Sequence, residues 1–93
     1  MDIDRIKNIH ALSVIFNKGQ DHREKLISMI KEHVVEIQQL IESNDKHYIS
    51  ETADLMILCA EVIIDAQHDV NQALSVRYQR FEDKLQTKET EEM

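Results

Sequence analysis

The sequence predicts an all-α protein, a four-helix up-and-down bundle, and three observations carry that reading. Its 93 residues include one glycine and no proline, so the turn chemistry that sheets and hairpins need is missing. Apolar residues return at three- and four-residue intervals along most of the chain, which is the period of one helix face. The polar interruptions between these runs are short, and short connections favour antiparallel neighbours. A single domain is expected over residues 1–86. The acidic tail at 87–93 has no apolar partner set and is expected to fray.

The first helix is expected over residues 2–17, with Ile3, Ile6, Ile9 or His10, Ser13 and Phe16 facing inward. Asp2 or Asp4 can cap its start and sits well against the helix dipole. Gly19 is its natural left-handed stop. The second helix runs from Asp21 to about Ser43, and Leu26, Met29 or Ile30, Val34, Ile37 and Leu40 or Ile41 define its core face. After the polar connection Ser43–His47, a third helix covers Ile49–Gln67 with Ser50 as N-cap and Cys59 as a small core residue. Asp69 or Asn71 caps a fourth, carrying Val70, Ala73 or Leu74, Arg77 or Tyr78, Phe81 and Leu85. The third helix has more apolar surface than one neighbour can cover, so a homodimer or homotetramer is expected.

Charge and composition exclude several classes of function. With 11 basic against 18 acidic residues and a net charge of −7, the chain is unsuited to nucleic acid, whose binding rests on lysine and arginine neutralising phosphates. The start, Met1-Asp2-Ile3-Asp4-Arg5, lacks the apolar core of a signal peptide. Glu61 and Asp65 break the central apolar run before it reaches membrane-spanning length. A cytoplasmic chain without nucleic-acid or membrane partners is the expectation. Cys59 is the only cysteine, which leaves no disulfide framework and no multi-cysteine zinc site.

The chemistry concentrates where charge meets apolar sequence. Glu51–Asp65 is the most apolar stretch, yet it holds Glu51, Asp54, Glu61 and Asp65. Carboxylates are rarely buried unless they are paired or bind a metal. On the second helix Glu32, His33 and Glu36 share one face. If the two helices are antiparallel neighbours, these three residues converge with Glu51 and Asp54. Clustered like charges repel and raise one another's pKa unless a cation neutralises them. Carboxylate oxygens suit Mg²⁺ or Mn²⁺. Glu61 and Asp65 either extend this acidic cleft or pair with arginine or lysine from a neighbouring helix. Arg77, Arg80 and Lys84 follow one face of the fourth helix, within reach of phosphates or as plain surface charge. His10, His22, His47 and His68 have no metal-site spacing and read as incidental.

Glu36, fourteen intervening residues, then Glu51-Thr-Ala-Asp54 opening an apolar helix resembles the motif of the MazG-like nucleotide pyrophosphohydrolases. Asp69-Val70-Asn71-Gln72-Ala73-Leu74, followed by Arg77 and Phe81, looks like that family's downstream segment, so the likeness covers about Met29 to Phe81. The resemblance implies an all-α NTP pyrophosphohydrolase fold. It also implies Mg²⁺-dependent cleavage of a nucleoside triphosphate to the monophosphate and pyrophosphate, in a role such as clearing non-standard nucleotides. On this reading Glu36, Glu51 and Asp54 occupy metal-ligand positions, Arg77 the family's basic position, and Glu32 is the candidate general base. The chain departs from the pattern at His33, where the family has an acidic residue. Three outcomes are open there: His33 ligates the metal, Glu32 substitutes for it, or the site is weakened. The phosphoribosyl-ATP pyrophosphohydrolase branch and a non-catalytic helical interaction module are the alternatives.

Overall fold

A computed structural model describes the backbone of residues 1–92 and the side chains of residues 1–88. Four helices follow one another: α1 (Ile3–Phe16), α2 (His22–Glu42), α3 (Tyr48–Asp65) and α4 (Val70–Glu92), with no strand among the described residues. Helical backbone therefore continues past Thr87, where the fraying tail was expected; the side chains of residues 89–93 lie outside the description.

Side-chain caps set three of the helix starts. Asp2 accepts from the Arg5 amide at 3.1 Å, Asp21 from Glu24 at 3.2 Å and Asp69 from Gln72 at 2.8 Å, each satisfying an otherwise orphaned N–H. The start of α3 differs from expectation. The helix begins at Tyr48, before Ser50, and the side chain at its N-cap position, His47, makes no capping bond. Asp45 organises this corner instead, accepting from the His47 amide at 2.9 Å and from its ring Nδ1 at 2.8 Å. These bonds hold the Asp45 carboxyl below its usual pKa. Between α1 and α2, Gly19 takes φ 87°, a left-handed conformation that only glycine adopts without cost.

Helices α2 and α3 form an antiparallel hairpin: His33, late on α2, meets Glu51 and Asp54 early on α3, while Arg23, early on α2, meets Asp65 at the far end. Helix α1 packs against α3, and the core joins Ile6, Ala60 and Val70 with Ile3, Ile57, Ile63, Ile64 and Leu74 packed around them. Leu26 of α2 is also fully buried.

The inner stripes shift from the predicted ones by one residue at informative places. On α2 the inward set is Leu26, Met29, Ile30, His33, Ile37 and Leu40, with Val34 turned out to solvent. On α1, His10 and Asn17 face inward, whereas Ile9 is exposed at 38 % and Phe16 at 88 %. Cys59 is exposed rather than in the core, because Leu58, Ala60 and Glu61 take the inner side of α3. Partial shielding by its surroundings still pushes its thiol pKa up.

The bundle is not closed by α4. Val70 and Leu74 anchor its first turn in the core, and from Ser75 to Lys88 every side chain is exposed, including Val76, Tyr78, Phe81 and Leu85. The radius of gyration is 16.3 Å, against about 12 Å for a compact domain of this length. No described helix is long and apolar enough to cross a membrane.

Candidate functional site

The hairpin of α2 and α3 brings four of the predicted residues together. His33 Nε2 lies 3.4 Å from a Glu51 oxygen and 3.9 Å from an Asp54 oxygen, and one ligand atom from each of the three falls within 4.8 Å of the others. Glu36, one turn further along α2, lines one hollow with Glu51 and raises its pKa. His33 sits here because the inner stripe of α2 passes through it, and Glu51 because it falls in the first turn of α3.

The tautomer of His33 gives this cluster its chemical character. Its Nδ1 lies 2.8 Å from the Met29 carbonyl, which can only accept, so Nδ1 carries the proton. In the neutral ring Nε2 is then a bare lone pair facing two carboxylates. That contact is favourable when a proton or a bound cation lies between Nε2 and a carboxylate oxygen. Metal-ligating histidines commonly donate their other N–H to a backbone carbonyl in this way.

Glu51 reports the same shortage of positive charge. Its pKa is raised, first by the hydrogen bond shared with Glu36, then by desolvation and by the charge of Glu36; Asp54 adds to the rise and His33 opposes it. A proton held between two carboxylates occupies a place a metal can take. One imidazole and three carboxylates suit Mn²⁺ and, through the oxygens, Mg²⁺. The site is open: the Asp54 side chain is 58 % exposed. A groove of about 280 Å³ reaches it between α1, α2 and α3, past Ile9, Ser13, Met29, Ile57 and Leu58. A hollow of about 450 Å³ opens on the other side at Glu36, Asp45, His47 and Glu51.

The remaining predicted residues lie elsewhere on this chain. Glu32 is exposed and lines a separate hollow with Phe16, Lys25 and Glu61. Arg77 and Arg80 belong to the exposed length of α4 and line none of the hollows described above.

A second polar cluster was not foreseen as one. His10 Nδ1 is 3.3 Å from Glu61 Oε1 and His10 Nε2 3.5 Å from Asp65 Oδ1. His22 Nε2 is 3.4 Å from His10 Nδ1, and its own Nδ1 meets the Asn17 side chain at 3.1 Å. The two imidazoles stand edge to face, with centroids 4.9 Å apart. Arg23 completes the group, donating to Asp65 at 3.0 Å. His10 and His22 are thus not incidental. They come from different helices, so spacing along one helix could not pair them; the inward phase of His10 was the available signal. Asp65 has the arginine partner that was one of its two expected roles.

Comparison with protein-family models, with curated proteins and with solved structures finds no match.

Proposed function

We propose that this chain is a divalent-metal-dependent nucleoside triphosphate pyrophosphohydrolase of the MazG-like kind. The observation that carries the reading is the His33 ring: its Nδ1 is committed to the Met29 carbonyl while Nε2 faces Glu51 and Asp54. Around it lies a wet carboxylate cluster short of positive charge, on the residues that resemble the family motif. Glu36, Glu51, Asp54 and His33 would hold the cation, Mg²⁺ or Mn²⁺. When bound, the ion supplies charge stabilisation at the phosphoryl oxygens and acidifies a water.

The protein's own residues do the rest. The Met29 carbonyl fixes the His33 ring, and the Glu36–Glu51 pair gives up its shared proton on loading. A carboxylate of the cluster would accept a proton from the water that attacks the α-phosphorus as the bond to the bridging oxygen breaks; Glu32, the residue expected in that role, lies outside the cluster. The products are the nucleoside monophosphate and pyrophosphate. Arg77 and Arg80 would reach a triphosphate from the second copy of a homodimer or homotetramer.

Self-association has its own support. The accessible surface is 7629 Å², against roughly 5,600 Å² for a folded monomer of this mass. The excess of about 2,000 Å² is in the range that an obligate interface covers, and both α1 and α4 expose large apolar side chains, among them Leu12, Ile15 and Phe16 and Val76, Phe81 and Leu85.

Product analysis on a panel of nucleoside triphosphates with Mg²⁺ and Mn²⁺ tests the reading. Pyrophosphate should appear with either metal, vanish with chelator, and vanish in Glu51→Gln and Asp54→Asn while helicity is unchanged. Wild-type rates in both variants would reject the site. A second reading, a non-catalytic interaction module, is favoured by the same imidazole: a protonated His33 is a built-in counter-ion for Glu51 and Asp54. It predicts that neither metal shifts the melting temperature.

A further inference from the structure

We propose that His10, His22 and Glu61 form a second cation site, for a tetrahedral transition-metal dication of the zinc class. Three packed elements each contribute one ligand: His10 from α1, His22 from the first turn of α2 and Glu61 from the buried face of α3. One donor atom from each lies within 4.8 Å of the other two. Ligands about 2.0–2.1 Å from a tetrahedral zinc are separated by about 3.3–3.4 Å. The His10 Nδ1 to Glu61 Oε1 and His10 Nδ1 to His22 Nε2 separations are 3.3 and 3.4 Å, so two edges of the tetrahedron are already at length.

The surroundings orient the ligating atoms. Asp65 stands 3.5 Å from His10 Nε2; its carboxylate takes the Nε2 proton and leaves Nδ1 aimed at the cluster, the carboxylate–histidine–metal arrangement. Asn17 Nδ2 lies 3.1 Å from His22 Nδ1 and donates to it. Loading therefore requires a half-turn of this amide, after which its oxygen accepts the Nδ1 proton and frees Nε2 as a ligand.

Without a cation, His10 Nδ1 is the contact of both Glu61 Oε1 and His22 Nε2, and one ring nitrogen with at most one proton cannot satisfy both. Glu61 is only 2 % exposed, so its carboxylate has little water to share. A cation replaces that one proton and satisfies all three donors at once. Two imidazoles with one carboxylate favour the zinc class over Mg²⁺, which separates this site from the carboxylate cluster two turns away, about 10 Å along α3.

The test uses the full chain carrying Glu51→Gln and Asp54→Asn, which blunt the first cluster, titrated with Zn²⁺ in excess Mg²⁺ and followed by imidazole ¹⁵N NMR. One equivalent should move the His10 and His22 ring signals, leave His33 in place and raise the melting temperature. Asp65→Asn, which keeps all three ligands, should weaken Zn²⁺ binding by about 10- to 100-fold. His22→Gln should abolish it, with helicity measured alongside. Unmoved His10 and His22 signals on the folded parent would overturn the proposal, leaving the cluster as a His10-centred ion pair. So would a shift confined to His33, or unchanged affinity in Asp65→Asn. These outcomes are independent of triphosphate turnover.

Discussion

The two polar clusters of α3 are built from the same residue types and differ in how their charge is met. Near the start of the helix, Glu51 and Asp54 face His33 and Glu36 in a setting open to water. Two turns on, Glu61 and Asp65 face His10, His22 and Arg23, and Glu61 is almost sealed from solvent. The first cluster has three carboxylates for one imidazole. The second sets two carboxylates against a guanidinium and two imidazoles. An acidic excess in an open groove suits a hard cation, as the proposed function requires. The buried cluster joins three helices, and its two imidazoles suit a cation of the zinc class, as the further proposal requires. Burial, local charge balance and the share of imidazole ligands separate the two.

The contrast is broken most directly by truncating one carboxylate on each side. Glu61→Ala removes a buried carboxylate that is a partner of His10 Nδ1, at a cost of about 2 kcal/mol of stability. Glu51→Ala should leave metal-free stability close to wild type, since it relieves a carboxylate pair. It should instead remove the stabilisation by Mn²⁺, which for wild type reaches about 2.7 kcal/mol at a concentration 100-fold above Kd. Chemical denaturation with and without Mn²⁺ reads both effects. Equal losses in the two metal-free variants would mean that the clusters do not differ as argued.

The next largest effect sharpens the electrostatics of the open cluster. Glu51 ionises less readily in the folded chain than its ordinary value of 4.5 implies, chiefly through the hydrogen bond with Glu36. A carboxyl with a raised folded pKa contributes stability that is present below the unfolded value and is lost as pH rises through the folded one. With chelator present, the stability difference between wild type and Glu51→Gln should fall as pH climbs through that window. Bound metal should reverse the trend, because it favours the ionised pair. A pH-independent difference between the two proteins would contradict the Glu36–Glu51 contact.

How far these arrangements could be read in advance follows from which are local. Helix content, a cap at Asp2 or Asp4 and at Asp69 or Asn71, the helix start near Asp21 and the Gly19 stop are written in short stretches, and the structure has Asp2, Asp21 and Asp69 as the caps. The meeting of His33 with Glu51 and Asp54 needed only one further premise, an antiparallel hairpin with a short connection. The phase of each helix was harder. On α2 an apolar residue, Val34, was expected inward, yet His33 takes the position, and on α1 the choice left open between Ile9 and His10 falls to His10; each histidine has a polar partner across the interface. The His10–His22–Glu61 group needs three helices placed at once, which no periodicity encodes. The open position of α4 was equally hidden, since its apolar spacing says that a partner surface exists but not in which copy.

The smallest prediction concerns the corner that carries the chain from the buried cluster into α4. Helix α3 ends at Asp65, and Gln67 lies at φ 62°. The turn is closed by the Gln67 amide on the Ile64 carbonyl at 2.8 Å and the His68 amide on the Ile63 carbonyl at 3.2 Å. This is a left-handed helix stop, the task glycine performs at Gly19, done here by a residue whose β-carbon costs about 1–2 kcal/mol in that conformation. Gln67→Gly removes the strain but widens the unfolded ensemble, which returns about 0.5–1 kcal/mol. The net gain should be under about 1 kcal/mol, seen as a small rise in melting temperature. Gln67→Val, branched at the β-carbon, should lower it. A loss in both variants would mean that the glutamine side chain itself holds the corner beside Asp65, extending the buried cluster by one residue.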